Sequence, residues 1–272
     1  MKNLLHDIQK FLMLALMVAG MMSCSDGWQE PEHAEVSFTA TLPADARARS
    51  FGDAEQVNTL VVGVFDERRV EIFRESFPIS GTSAEVQLTL AQEQTYSFVF
   101  WAYDNSQDIY DTTDLTAIKM EAPTGIVTFE QAEAADAFFA VKENVTVMGD
   151  RNYTVKMFRP LAQINVGTTG KTMEAAFTAK SAPDTFHPFT NTVSGETDYT
   201  WSFSETTTET FSVEGNTYNY LAMCYLFAPT TPKTISAGLT LTDGESSMTV
   251  EFPQVEIEAN NRSNIAGRLT TE

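Results

Sequence analysis

Four carboxylates that could act as metal ligands fall in one predicted loop of the sequence. Asp104, Asp108, Asp111 and Asp114 could together supply oxygen atoms to a calcium ion. Their spacing lacks the alternating ligands and the central glycine of an EF-hand loop. We therefore interpret the segment as a solvated surface loop rather than a metal site.

The sequence shows no recognisable set of catalytic residues. The three histidines, His6, His33 and His187, have no cysteine or carboxylate partners at metal-ligand spacing. The sequence contains no GxSxG, HExxH or glycine-rich phosphate-loop motif. Paired carboxylates for glycoside hydrolysis stay open as an alternative, because acidic residues are abundant and their separation in space is not encoded in their spacing. We predict no catalytic, metal-binding or cofactor-binding residues, and hence a protein that is not an enzyme.

Two tryptophans could stack on sugar rings, which would suit a glycan-binding protein. Trp101 and Trp201 each stand in a predicted strand, however, so packing in a core or an interface is the favoured interpretation. Glycan binding is kept as the leading alternative function.

Cys224 lies inside the apolar run YLAMCYLF and is interpreted as a small buried hydrophobic side chain.

Cys24 ends a segment that is organised like a lipoprotein signal peptide. A basic start precedes an apolar run, Phe11–Met22, which is too short to span a bilayer. A serine stands directly before the cysteine, as in signals whose cysteine is lipidated and becomes the new N-terminus. We predict a signal peptide over residues 1–23, a lipid on Cys24 and a polar linker over 24–35, with ordinary secretion as the alternative.

Charge excludes one class of partner. The chain has 37 acidic and 17 basic residues and a formal net charge of -20, so its surface repels nucleic acid. Hydrophobic residues make up 43% of the 272 residues, which is enough for real cores in one large or two ordinary domains.

The elements that must position these residues are strands. Val36–Leu42 alternates between apolar and polar residues, as a strand buried on one face does. Leu60–Phe65 and Tyr96–Tyr103 are apolar at both parities and are predicted to be central strands. Asn144–Met148 and Tyr153–Met157 also alternate, and the four residues between them predict a β-hairpin.

Pro160 divides the strand-rich sequence. Proline cannot donate to a ladder and biases the preceding residue towards extended geometry, so a strand should break there. Because alternating segments continue on both sides, we predict two β-sandwich domains, one over 36–160 and one over 161–272.

Several short motifs, taken in order, resemble the fimbrillin-like (type V pilus, Mfa-like) surface lipoproteins of anaerobic Gram-negative bacteria of the gut and mouth. None of these motifs is catalytic, and it is their order along nearly the whole exported chain that makes the resemblance. They are Val57–Asp66, Thr95–Tyr103, Ile109–Leu115, Asp136–Glu143, Arg159–Val166 and Arg262–Thr271.

The resemblance implies an architecture and a role. The fold would be two tandem transthyretin-like β-sandwich domains, on a protein anchored by lipid to the outer membrane at the cell surface or built into a fimbrium. The function would be that of a fimbrial (pilus) subunit or an accessory adhesin component, with surface glycans or proteins of host or bacteria as further partners. Asp111-Thr112-Thr113 resembles a short O-glycosylation acceptor motif of such bacteria, at Thr112.

The resemblance also implies a maturation site. Fimbrillin subunits join by donor-strand exchange after a protease cuts an N-terminal loop, and cleavage follows arginine. Here the loop Pro43–Gly52 is polar and rich in small residues, as a protease substrate should be, and it contains Arg47 and Arg49. The displaceable strand would be Val36–Leu42, and an incidental surface loop is the alternative.

Overall fold

The computed structural model describes residues 31–43, 52–121, 123–170, 173–204 and 209–268, and this part of the chain is almost entirely β-structure. The predicted all-β class is therefore confirmed. A single short helix, α1 (Phe129–Glu133), occurs among these residues. Thr128 caps it, because its hydroxyl accepts from the Gln131 N–H while the Gln131 side chain accepts from the Thr128 N–H.

Strands of the first half form a sandwich of two sheets. In chain order the strands up to Lys156 are β1 (His33–Thr41), β2 (Thr59–Phe65), β3 (Glu71–Pro78), β4 (Ser83–Ala91), β5 (Thr95–Tyr103), β6 (Tyr110–Asp111), β7 (Ile118–Met120), β8 (Phe138–Thr146) and β9 (Arg151–Lys156). One sheet has the order β4-β1-β9 and the other has the order β3-β2-β5-β8. The predicted strand Val36–Leu42 corresponds to β1, and the two predicted central strands, β2 and β5, do lie inside their sheet.

Strands of the second half form a second pair of sheets. They are β10 (Leu161–Thr168), β11 (Glu174–Ala182), β12 (Thr185–His187), β13 (Thr192–Ser194), β14 (Thr197–Phe203), β15 (Thr210–Val213), β16 (Asn216–Phe227), β17 (Lys233–Asp243), β18 (Ser246–Ile257) and β19 (Arg262–Gly267). The sheet orders are β15-β16-β10-β19 and β14-β11-β17-β18. β17 and β18 pair as an antiparallel hairpin around the turn at Gly244.

Two hydrophobic cores meet at the sheet β3-β2-β5-β8. Phe98 and Phe100 of β5 face the first core together with side chains of β1 and β4. Val99 and Trp101, which alternate with them, face the second core, which extends through β10–β18. Alternation of the side chains in one strand therefore contributes to both cores.

A small sheet of order β13-β12-β7-β6 joins strands from both halves of the chain. Its contact is the pairing of β7 with β12, in which Lys119 lies opposite Thr185. Strand pairing thus changes near Pro160, while hydrophobic packing and this small sheet continue across it. Whether 36–160 and 161–272 are separate domains stays a prediction.

The hairpin predicted over residues 144–157 is wrong. β8 pairs with β5, whereas β9 pairs in parallel with β1 in the opposite sheet. Between them the chain crosses the sandwich, and the Val147 N–H and C=O exchange hydrogen bonds with Gln94 and Glu93 of the β4–β5 turn. The predicted segment Tyr153–Met157 largely coincides with β9, whereas Asn144–Met148 overlaps only the last three residues of β8. The partners of both strands were not predicted.

Candidate strand-exchange site

The predicted lipidation and cleavage residues lie outside the part of the chain that the structure describes. Cys24 precedes residue 31, and Arg47 and Arg49 fall between residues 43 and 52. Their assignments therefore stay predictions. The structure does describe the features on either side of the two arginines, which are β1 before them and Gly52 after them.

β1 is the middle strand of its sheet and is paired along both edges. It runs antiparallel to β4, with Phe38 opposite Val86, and parallel to β9, with Phe38 opposite Tyr153. At the end of the strand the Leu42 N–H still donates to the Thr82 carbonyl at 2.8 Å. Removal of β1 would leave β4 and β9 with facing, unpaired edges, which are templates for another strand.

One face of β1 is buried in the first core. Ala34, Val36, Phe38 and Ala40 are almost fully buried, and Phe38 is 0% exposed. The Phe38 ring lies 4.7 Å from the ring centroid of Phe98 and is stacked on Tyr153 at 5.4 Å. The alternation seen in the sequence therefore has the predicted consequence.

The opposite face of β1 is polar and contributes little to the core. The Thr39 hydroxyl donates to Oε2 of Glu85 on β4 at 2.9 Å, and Nε2 of Gln87, also on β4, donates to Oε2 of Glu35 at 2.9 Å. Because exposed polar pairs of this kind add little stability, β1 is held mainly by its ladders and its apolar face.

Burial gives the scale of what β1 contributes. A fully buried Val or Phe side chain adds roughly 1.5–3 kcal/mol, and Val36 and Phe38 are supplemented by Leu42 and two alanines. The strand therefore contributes on the order of 5–8 kcal/mol of apolar burial, against a typical domain stability of about 5–15 kcal/mol. A sandwich without β1 would be marginal until a replacement strand filled its place.

Gly52, on the far side of the two arginines, is held by buried charged side chains. Its N–H donates to Oε1 of Glu133, and its carbonyl accepts from Nη2 of Arg159 at 2.8 Å. Gly52 has a φ of +77°, a left-handed conformation that favours glycine. A β-carbon there would lie 2.9 Å from Oε1 of Gln163. The chain is thus fixed to the body of the protein at Gly52.

Arg159 forms a buried, bidentate ion pair with Asp136. Nε donates to Oδ1 at 2.6 Å and Nη2 donates to Oδ2 at 2.7 Å, while the guanidinium lies 4.9 Å from the Phe138 ring centroid. Burial raises the pKa of Asp136, and the Arg159 guanidinium opposes that rise. Removing either partner would leave an uncompensated buried charge, which is strongly destabilising.

Glu133 is the group of this cluster whose pKa lies near neutral pH. Burial, reinforced by the nearby Asp136 charge, raises the pKa of Glu133 to about 7. Hydrogen bonds from Gly52 and from the Tyr225 hydroxyl, at 3.0 Å, oppose the rise. The second oxygen, Oε2, has no hydrogen-bond partner among the described residues. Only 4% of Glu133 is exposed, and its hydrogen bond with Gly52 links the ionisation of the carboxyl to the anchoring of that residue.

The acidic loop is organised by local hydrogen bonds. Asp111 accepts from the N–H and hydroxyl of Thr113, and Asp114 does the same with Thr116. No set of three His, Cys, Asp or Glu side chains among the described residues is placed to hold a metal ion. Glycosylation of Thr112 stays a prediction.

No helix in the described ranges is long and apolar enough to cross a membrane.

The tryptophans and the second cysteine are core residues, as predicted. Trp101 and Trp201 are both fully buried, and the Trp101 ring meets Tyr110 edge-on at 5.2 Å. Cys224 is also fully buried, in β16, and burial raises the pKa of its thiol. None of the three side chains is accessible to a ligand in this conformation.

Solved structures that are similar to this chain include those of adhesins and fimbrial proteins. A candidate adhesin from Bacteroides thetaiotaomicron is 14% identical with a TM-score of 0.52, over 84% of this chain and 82% of that one. A fimbrial assembly protein from Parabacteroides distasonis is 13% identical with a TM-score of 0.46, over 89% and 92% of the two chains. The tip fimbrial protein Mfa3 from Porphyromonas gingivalis is 13% identical with a TM-score of 0.44, over 82% of each chain.

Similarity to the Bacteroides adhesin agrees with the predicted β-sandwich fold. No curated protein sequence matches the chain. The model of one protein family, described as a family of unknown function (DUF6562), matches residues 29–272, which is most of the sequence. The chain therefore belongs to the family DUF6562.

Proposed function

We propose that the protein is a cell-surface fimbrial subunit, or an accessory adhesin component of a fimbria, that joins its neighbours by donor-strand exchange. The observation that carries the proposal is β1, which is buried on one face, paired along both edges and followed closely by Arg47 and Arg49. Similarity in fold to a candidate adhesin from Bacteroides thetaiotaomicron supports the proposal.

Cleavage after either arginine would separate β1 from the rest of the polypeptide. The strand would then be held by non-covalent interactions alone, while Gly52 and the residues after it would stay anchored through Glu133 and Arg159. A strand from another subunit could replace β1 between β4 and β9, restoring both ladders and the buried face. The partners would thus be other fimbrial subunits.

Before cleavage, the proposed location is the outer membrane, through a lipid on Cys24; after cleavage and strand exchange, it is the fimbria. Acyl chains contribute ~0.8 kcal/mol per buried methylene, so two or three chains hold a protein in a membrane without a spanning helix. Cys24→Ala should release the protein into the medium or leave it unprocessed. A variant that still partitions into detergent like the parent would show that Cys24 is not the anchor.

Glycan binding without polymerisation gains no specific support. Trp101 and Trp201, the side chains that suggested sugar stacking, both lie in the core. Glycans or proteins on host or bacterial surfaces remain proposed adhesion targets of the assembled fimbria.

The experiment that tests the function combines N-terminal sequencing of the mature cellular protein with an Arg47→Ala, Arg49→Ala double variant. We expect the parent to begin at Ala48 or Ser50 and to form polymers that immunogold labelling detects on intact cells. The double variant should keep its original N-terminus and stay unpolymerised.

Arg68→Ala is the matched control, because Arg68 is exposed in a described turn and its removal changes the charge in the same direction. If the mature chain begins at Cys24 and assembly is unchanged in the double variant, loop cleavage does not activate this protein.

A further inference from the structure

A strand ladder begins and then splits between β8 and the residues that follow β9. Phe139 and Phe158 exchange two backbone hydrogen bonds, each 2.8 Å long, as an isolated antiparallel bridge. Beyond this bridge β8 stays with β5 and β9 stays with β1, in opposite sheets of the sandwich. A groove of about 460 Å³ opens between them, lined by β8, β9, Phe158 and two residues of the loop after β12, Pro188 and Asn191.

The two walls of this groove present unpaired strand edges. Successive residues of a strand direct their backbone groups alternately to opposite sides. Since Phe139 faces the Phe158 side, Val141 directs its N–H and C=O into the groove. On the other wall Met157 donates to Thr41 of β1 at 2.9 Å, so Lys156 directs its backbone groups away from β1 and into the groove.

Thr154, one alternation earlier on β9, faces the groove in the same way, because the neighbouring Val155 carbonyl accepts from the Thr41 hydroxyl of β1. Within the described ranges, β8 and β9 are both edge strands on this side. The groove therefore offers donors and acceptors from two strands to one incoming strand.

Charge in the groove is opposite to that of the whole protein. The formal net charge is -20, yet the lining includes Lys142 and Lys156 and no carboxylate. The Lys142 ammonium lies 4.4 Å from the Tyr153 ring centroid. Neither lysine forms an ion pair with another described residue. Phe158, whose bridge residue Phe139 is buried, leaves 63% of its own surface exposed beside them.

We infer that this groove binds an extended, acidic peptide segment of another polypeptide, which adds as a strand between β8 and β9. Backbone groups of Val141, Thr154 and Lys156 would supply the ladder, and the two lysines would select acidic side chains. An apolar residue of the segment would cover Phe158. This site is separate from the position of β1, and the inference does not depend on strand exchange there.

The test uses a fluorescein-labelled peptide of about six residues in which glutamate alternates with valine, with binding followed by fluorescence anisotropy. We expect the parent protein to bind this peptide and not a peptide with lysine in place of glutamate. Lys142→Glu, Lys156→Glu should weaken binding about tenfold or more. Lys119→Glu, Lys233→Glu is the matched control, since it changes the net charge equally at residues that do not line the groove.

A second measurement separates strand addition from simple charge attraction. Amide hydrogen exchange at Val141 and Lys156 should slow when the glutamate peptide binds. Thr154→Pro removes a groove-facing N–H that β1 does not use and keeps both lysines, so it should weaken binding while leaving the melting temperature near that of the parent. Unchanged exchange at these amides would overturn strand addition.

Other results of the binding experiments would also refute the inference. Absence of binding by the parent, or equal loss of binding in both double variants, would refute the inference. Binding of an acidic oligosaccharide such as oligogalacturonate, without binding of the peptide, would assign the groove to acidic glycans and would likewise overturn it.

Discussion

Replacement of Glu133 by glutamine should remove a pH dependence from the stability of this protein. Glutamine has the same shape and keeps a side-chain oxygen for the hydrogen bonds from Gly52 and Tyr225. It cannot become charged in a site where burial raises the glutamate pKa to about 7 from an ordinary value of 4.5. The perturbation therefore removes the titration and little else.

The sign follows from which state holds the proton. Between pH values of about 4.5 and 7 the folded protein keeps a proton on Glu133 that the unfolded chain releases. The corresponding stability is fully present below about pH 4.5 and is lost as the pH rises through about 7. A shift of this size corresponds to roughly 3 kcal/mol, at about 1.4 kcal/mol per pKa unit. Because Glu133 is 4% exposed, solvent screening reduces this figure little.

Urea unfolding at about pH 5 and about pH 8.5 measures the effect. The two buried tryptophans, Trp101 and Trp201, provide the fluorescence signal. We expect Glu133→Gln to gain up to roughly 3 kcal/mol relative to the parent between the two pH values. Glu130→Gln, at an exposed position of the same helix, is the control and should leave the parent's pH dependence in place.

An identical pH dependence in Glu133→Gln and in the parent would refute this reasoning. It would mean that the Glu133 carboxyl is ionised in the folded protein at no cost, and that the anchoring of Gly52 does not respond to pH.

Three further predictions concern β1, the glycine anchor and the core. Phe38→Ala should lower the free energy of unfolding by about 3–5 kcal/mol, whereas Thr39→Ala, on the outer face of β1, should change it by less than about 1 kcal/mol; equal effects would contradict the burial pattern. Gly52→Ala should destabilise more than Gly81→Ala in thermal unfolding. Both glycines have positive φ, but only Gly52 has close neighbours. Cys224 should react with a thiol reagent only on unfolding, and rapid labelling of the folded protein would contradict its burial.

Local patterns identified β1, β2 and β5, because the order of apolar and polar residues in a strand depends only on which of its faces are buried. The partners of β8 and β9 were not predictable, because alternation is the same whether a strand pairs with its neighbour in sequence or with a distant strand. Asn144 has a positive φ and donates its N–H to the Ser97 hydroxyl, an irregularity of β8 that no periodicity indicates.

The buried charge cluster was also hidden from the sequence. Glu133 and Asp136 stand in an Ala- and Glu-rich segment beside Glu130, which is exposed, and nothing in their spacing distinguishes them. The one available signal was Arg159, an arginine directly before a proline between two apolar strands. Its neighbour Pro160 predicted a break in the strand, whereas the charge of Arg159 did not predict its partner. The roles of Cys24, Arg47 and Arg49 rest on residues outside the described ranges and stay predictions.

The pairing of β1 along both edges has a mechanical consequence. In the uncleaved chain, a tether attached before His33 would pull along the axis of β1, because the strand begins there and runs between β4 and β9. Tension in that direction loads the hydrogen bonds of both ladders in shear, so that many must break together. A sideways pull would open them one after another at lower force. A strand in this position is suited to transmit tension from an anchored end into the body of the protein.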